Sequence, residues 1–119
     1  MINLPQRPRR NRKNQAIRNL VQENEVKVSD LILPLFLIDG KNKKTQINSM
    51  PGIYRLSKDL MLKEIETCLK LGITTFDIFP NINEQLKDKK ATESLNKKGL
   101  YLSSLKEIKK QFPEAVIMT

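Results

Sequence analysis

Hydrophobic residues in this chain gather in three short strand-length stretches, the first almost unbroken, and between them lie two stretches where they recur every three or four positions. The first run, Leu31 to Ile38, is apolar on both alternating faces and is closed by the turn pair Asp39-Gly40, so it reads as a buried strand. A strand with two apolar faces has to be covered on both, the habit of parallel strands in α/β proteins. Pro34 in its middle cannot donate to a ladder, which predicts a break there or an unpaired side. Ile73 to Phe79, closed by Pro80, and Ala115 to Met118 are the second and third strands.

Met61, Leu62, Ile65, Cys68 and Leu69 share one face of a predicted helix, with Ser57 as its N-cap, Asp59 in its first turn and Gly72 as the residue that ends it. Tyr101, Leu105, Ile108 and Phe112 mark a second helix over about 100–111, stopped by Pro113. Before the first strand, Ala16, Ile17, Leu20 and Val21 predict a short amphipathic helix from about Lys13 to Glu23, preceded by an extended Pro- and Arg-bearing segment. Residues 39–48 read as an exposed polar loop, Met50-Pro51-Gly52-Ile53 as a type II turn, and 81–99 as a long lysine-rich connection without periodicity. The order is βαβαβ with parallel strands and right-handed crossovers, and two domains are expected: a basic arm, 1–25, and an α/β body, 26–119. With no helix after the third strand, the body is either a very small open sheet or the first three-eighths of a barrel.

Charge changes the picture at the N-terminus. The formal net charge is +9, and up to Arg18 there are six cations (Arg7, Arg9, Arg10, Arg12, Lys13 and Arg18) and no acid. Such an arm suits nucleic acid, an anionic membrane, or an acidic surface on a neighbouring subunit. The lone Cys68 sits among helix core positions and reads as packing rather than catalysis, so the cytoplasm is the default compartment. No apolar stretch reaches the roughly 20 residues of a membrane span. The basic start lacks the apolar region of a secretory signal, while its Arg-rich, acid-poor character leaves a plastid address open.

Recognisable chemistry is sparse. There is no histidine, no Gly-x-Gly-x-x-Gly or Walker loop, no Cys-x-x-Cys and no Ser/His/Asp set. Glu64 and Glu66 fall on different helix faces. Asp77, inside the second strand, reads as a structural hydrogen-bonding residue ahead of a site residue. Lys87, Lys89 and Lys90 read as solvated. Residue patterns alone therefore reach a soluble α/β domain.

The motifs taken in order go further. Arg7-Pro-Arg-Arg10, Asp30-Leu-Ile-Leu-Pro-Leu-Phe36, Ser49-Met-Pro-Gly-Ile-Tyr-Arg55, Leu71-Gly-Ile73, Phe79-Pro80, Leu86-Lys-Asp88, Asn96 with Gly99-Leu100, and Phe112-Pro113 together resemble the N-terminal portion of the δ-aminolevulinic acid dehydratase (porphobilinogen synthase) family. The resemblance implies a lyase with a (β/α)8 TIM barrel, of which this chain holds the first three strands and two helices behind an N-terminal arm. It implies condensation of two 5-aminolevulinate molecules to porphobilinogen in tetrapyrrole synthesis, with two Schiff-base lysines and zinc or magnesium in many members. It also implies a homo-octamer whose arms embrace neighbouring subunits, which gives Arg7, Arg9, Arg10, Arg12, Ile17 and Leu20 an interface role.

The family's lysines lie on later strands and its metal segment begins past Thr119. No catalytic, substrate or metal residue therefore carries over, none of this chain's residues is expected to bind the metal, and the chain alone, read as a fragment, is expected to be inactive. Lys90-Ala-Thr-Glu-Ser-Leu95 departs from the family's glycine followed by Ser-Glu-Ala. The competing reading is a small basic nucleic-acid-binding module. It lacks aromatic interleaving, since no aromatic residue precedes Phe36, and the family reading implies neither nucleic acid nor membrane as a partner.

Overall fold

The computed structural model describes residues 9–119. Arg7, one of the arm cations, lies outside the described residues. The chain folds as one five-stranded sheet with two helices on one face. Its strands are β1 (Ile32–Ile38), β2 (Lys44–Gln46), β3 (Tyr54–Ser57), β4 (Thr75–Pro80) and β5 (Val116–Met118), in the order β2-β3-β1-β4-β5. Three helices accompany them: α1 (Gln15–Leu20), α2 (Lys58–Lys70) and α3 (Leu100–Gln111). β1 pairs in parallel with β3 and β4, β4 pairs in parallel with β5, and β2 runs antiparallel to β3.

The three expected strands form, but two more join them and make the sheet mixed. β2 and β3 escape pattern reading because Lys44-Thr45-Gln46 is an exposed polar edge and Tyr54-Arg55-Leu56-Ser57 is only four residues long. The turn between them is the expected one: the Ile53 N–H donates to the Met50 carbonyl at 3.0 Å and Gly52 has φ 82°. Lys44 Nζ stands 4.2 Å over the Tyr54 ring, anchoring the edge strand by a cation–π contact.

Pro34 behaves as its missing N–H demands. β1 pairs with β4 continuously from Ile32 to Leu37, whereas pairing with β3 begins only at Phe36. The Leu37 carbonyl accepts from the Asn81 N–H at 2.7 Å, beyond β4, so odd-numbered residues of β1 direct their backbone groups to β4 and even-numbered ones to β3. Pro34 thus turns its donorless nitrogen to the side that has no partner at that height.

The core lies between sheet and helices. Leu35 and Leu37 of β1, Leu56 of β3, Phe76 and Ile78 of β4, and Ala115 before β5 meet Met61, Ile65 and Cys68 of α2 and Ile108 and Phe112 at α3. The spacing of Met61, Ile65 and Cys68 is what brings that face of α2 onto the sheet. Gly72, at φ 92°, ends the helix as read. Ser104 also points into this layer, fully buried, its hydroxyl without a hydrogen-bond partner among the described residues.

Several expectations need correction. The arm helix is six residues rather than eleven, because Asn14 caps it by accepting from the Ile17 N–H at 2.9 Å and Val21 closes it. Ser57 occupies the N-cap position of α2 but makes no capping bond, since its hydroxyl is engaged elsewhere. The connection 81–99 is not featureless: 3-10 turns form at Glu84–Leu86 and Thr92–Leu95, the first capped by Asn83. Asp77 makes no hydrogen bond among the described residues, because its side chain leaves the sheet on the face away from the helices.

That second face is bare. Alternation from the buried residues places Ile32, Pro34 and Phe36 of β1, Arg55 of β3, Thr75, Asp77 and Phe79 of β4, and Val116 and Met118 of β5 on it. Phe36 and Phe79 stack there with centroids 5.6 Å apart, and Ile32, Phe79, Val116 and Met118 are 44% to 54% exposed. The continuous apolar run of β1 called for cover on both sides, and the helices supply one.

Candidate functional site at the carboxyl ends of the strands

β1, β3 and β4 end side by side, and the loops that leave them set the chemistry of that rim. After β1, residues 39–43 fold back onto the start of α2. The Ser57 hydroxyl accepts from the Lys43 N–H at 2.9 Å and donates to Asp59 Oδ1 at 2.6 Å. Asp59 also accepts from the Asn42 N–H at 2.9 Å and 3.1 Å. Asn42 adopts φ 51°, a left-handed conformation that asparagine tolerates.

The Ser57 hydrogen bond, joined by those from backbone amides, holds the Asp59 carboxyl below its ordinary 3.8. A carboxyl depressed in the folded state stabilises fully above its unfolded pKa, and that contribution is lost as pH falls through the folded value. Wild-type chain should therefore lose urea resistance below about pH 4, and Asp59→Asn should begin lower and fall less steeply. Asp88 adds a slope of the same sign. Urea midpoints from pH 3 to 6 by circular dichroism check this, and identical slopes for the two proteins would refute it.

After β4, the connection 81–99 is organised by Asp88, which accepts from the N–H groups of Lys90 at 3.1 Å and Thr92 at 2.9 Å. Its carboxyl is lowered, first by the Thr92 side chain. Ala91 takes φ 51° between the two turns. The Glu93 carboxylate accepts from the Asn96 amide and occupies the space a Cβ on Gly99 would fill, 2.3 Å from that position. An acid therefore already sits at the start of α3.

Between the starts of α2 and α3 lies a cleft of about 450 Å³, lined by Asp39, Lys58, Asn81, Glu93, Lys98 and Ser103 among others. Lys58 is paired with Glu107 at 2.6 Å. Tyr101, at the rim, donates to the Ile78 carbonyl at 3.2 Å, and burial raises its phenol.

Nucleophilic and metal chemistry find little here. Cys68 is buried under α2, and burial, helped by Glu64, raises its thiol. No described strand places a lysine on the bare face; the only strand lysine, Lys44, covers Tyr54 from the helix side. Among the described residues no three His, Cys, Asp or Glu side chains converge as a metal site would require. The residues described here therefore do not fit the zinc or magnesium that the resemblance implies.

The arm residues stay apart from this rim. Arg9, Arg10, Arg12, Lys13 and Arg18 surround a second cleft, α1 buries none of its residues, and Leu20 is 84% exposed while Ile17 is partly covered.

A family model described as delta-aminolevulinic acid dehydratase matches residues 5–119. The chain belongs to the delta-aminolevulinic acid dehydratase family. It is 44% identical over 117 residues to the delta-aminolevulinic acid dehydratase of Bradyrhizobium diazoefficiens, covering 98% of this chain and 33% of that protein. Against the Chlamydia pneumoniae dehydratase it is 42% identical, covering 99% and 36% respectively. The crystal structure of the Toxoplasma gondii ME49 dehydratase (porphobilinogen synthase), in complex with the reaction product porphobilinogen, superposes with a TM-score of 0.87 at 45% identity. That superposition covers 96% of this chain and 32% of the Toxoplasma chain. The chain thus spans about a third of the length of these three dehydratases.

Proposed function

We propose that this chain is the N-terminal portion of a porphobilinogen synthase, the lyase that condenses two molecules of 5-aminolevulinate to porphobilinogen in tetrapyrrole synthesis. The observation that carries the reading is the agreement of the whole body with a third of the Toxoplasma dehydratase. In this reading β1, β4 and β5 are the first three strands of a (β/α)8 barrel, α2 and α3 its first two outer helices, and β2 and β3 a hairpin appended to β1. The bare face is then the lumen side, and the cleft at the carboxyl ends lies on the barrel's active rim. The catalytic lysines and the metal would come from outside this chain.

The test is a chimera in which residues 1–119 replace the matched segment of the Bradyrhizobium enzyme. It should form porphobilinogen from 5-aminolevulinate. A folded chimera without turnover, beside an active parent, would overturn the reading.

The arm has a separate role in the proposal: Arg9, Arg10, Arg12, Ile17 and Leu20, with Arg7, grip a neighbouring subunit in a homo-oligomer, an octamer as in the family. Support comes from the unburied α1 and from the cationic cluster beside it. A six-residue helix with exposed apolar side chains gains stability only from a partner. Deleting residues 1–24 from the chimera should reduce its assembly size in sedimentation velocity and leave its helical signal unchanged. An intact assembly after deletion would refute the role.

A further inference from the structure

Donors without partners gather in the cleft between the starts of α2 and α3. Among the described residues, the N–H groups of Leu100, Tyr101 and Leu102 in the first turn of α3 meet no acceptor, and Gly99 at the N-cap has no side chain to supply one. α2 differs, because Asp59 turns back to the amides of its own first turn. An independent sign of a missing partner is Ser104, one turn further along α3. It lines the cleft and is fully buried, and its hydroxyl is the one buried side-chain polar atom left unpaired among the described residues. Ser103 beside it spends its own hydroxyl on the Leu100 carbonyl at 3.2 Å. All the walls come from residues 39–104, two consecutive helices and the loops around them, so the cleft is built wholly within this chain.

The charges at this end of the cleft have both signs. Open helix amides, a buried hydroxyl and Lys98, which makes no ion pair among the described residues, all favour a carboxylate. Glu93 opposes one: its carboxylate, held by the Asn96 amide at 3.1 Å and 3.2 Å, lies against Gly99 at the very start of α3. A plain anion therefore gains from the helix and loses to Glu93. A ligand that brings a positive charge next to its negative one gains from both. We propose that the cleft binds a free α-amino acid. Its carboxylate accepts from the first-turn amides of α3 and from the Ser104 hydroxyl, with Lys98 nearby, and its ammonium donates to Glu93. Because Glu93 abuts the residue that precedes those amides, the two charges have to sit on one carbon rather than at the ends of a chain. The rest of the roughly 450 Å³ leaves room for a side chain, toward Asp39 and Lys58 on the other wall. Binding of this kind goes beyond the barrel reading and does not depend on it.

Titrations of the full 119-residue chain followed by amide NMR test this, with L-alanine, propionate, ethylamine and 5-aminovalerate as probes. L-alanine should shift the amide signals of Leu100, Tyr101 and Leu102 with a dissociation constant in the millimolar range. Propionate lacks the ammonium, ethylamine lacks the carboxylate, and 5-aminovalerate holds its charges far apart; each should bind about fivefold or more weaker. Ser104→Ala should weaken L-alanine and propionate alike, by about fivefold. Glu93→Gln keeps an acceptor for Asn96 but removes the charge, so it should weaken L-alanine and strengthen propionate, a crossover that mere loosening of the loop cannot produce. No shift of those amides with L-alanine, propionate binding as well as L-alanine, 5-aminovalerate binding better, or Glu93→Gln moving both ligands in the same direction would each overturn the proposal. Should a variant unfold, as its spectrum would reveal, the ranking of the four probes on the wild-type chain still decides it.

Discussion

Incubated with 5-aminolevulinate, the 119-residue chain alone should yield no porphobilinogen above a buffer blank, whereas its chimera with the remainder of the Bradyrhizobium enzyme should turn over. The physical ground is the placement of its amines. Schiff-base formation needs a lysine held in a partly desolvated pocket, where its pKa falls and the free amine attacks a carbonyl. The described lysines lie instead on helix surfaces, in the loops, or over Tyr54, and Lys58 and Lys70 are held by Glu107 and Glu66. Turnover by the isolated chain, lost on borohydride trapping of one of its lysines, would contradict this. The expected effect is all or none.

The next largest effect should come from Phe76→Ala. Phe76 is fully buried on β4 between β1 and β5, at the junction of α2, α3 and the sheet. Truncating a buried phenylalanine typically costs about 3–5 kcal/mol, the lost transfer energy plus the cavity left behind. A small domain holds only about 5–15 kcal/mol in total, so the variant should lose most of its urea resistance, followed by circular dichroism. A midpoint within error of wild type would mean that this layer is not the core. Phe79→Ala, three residues on but on the bare face, is the control: it should cost far less in the monomer.

The sequence exposed those elements whose side chains alternate between two strongly different environments. β1, β4, β5, α2 and α3 were legible because a buried helix stripe or a continuous apolar strand leaves a periodic trace. β2 and β3 were not, because an edge strand of lysine, threonine and glutamine owes its place to backbone pairing, which composition does not encode. Ser57 looked like a cap and became a bridge between Lys43 and Asp59, a contact that depends on the return of a loop fourteen residues earlier. Ser104 faces the core although it is polar, at a position where a pattern of large apolar residues shows a gap. Asp77 was weighed as an internal hydrogen-bonding group, and only the sheet's handedness relative to the helices shows it turned away from them. For the candidate site, the rim's location followed from strand order, while its hydrogen bonds came from loop conformations with positive φ at Asn42 and Ala91, which non-glycine residues seldom advertise.

Pro34 has a consequence for the order in which the molecule is made. β1 leaves the ribosome first among the strands, and its longest partner, β4, begins 37 residues after β1 ends, from Ile38 to Thr75. At about 5–20 residues per second the nascent chain carries Leu31 to Ile38 without that partner for roughly 2–7 seconds. A bare octapeptide of leucine, isoleucine and phenylalanine is the kind of segment that templates cross-strand stacking between neighbouring nascent chains. A proline at its centre deletes one ladder donor from every such register, yet in the finished sheet it faces the β3 side, below the height at which β3 begins to pair. The same residue thus acts as a gatekeeper during synthesis and leaves the native ladder intact.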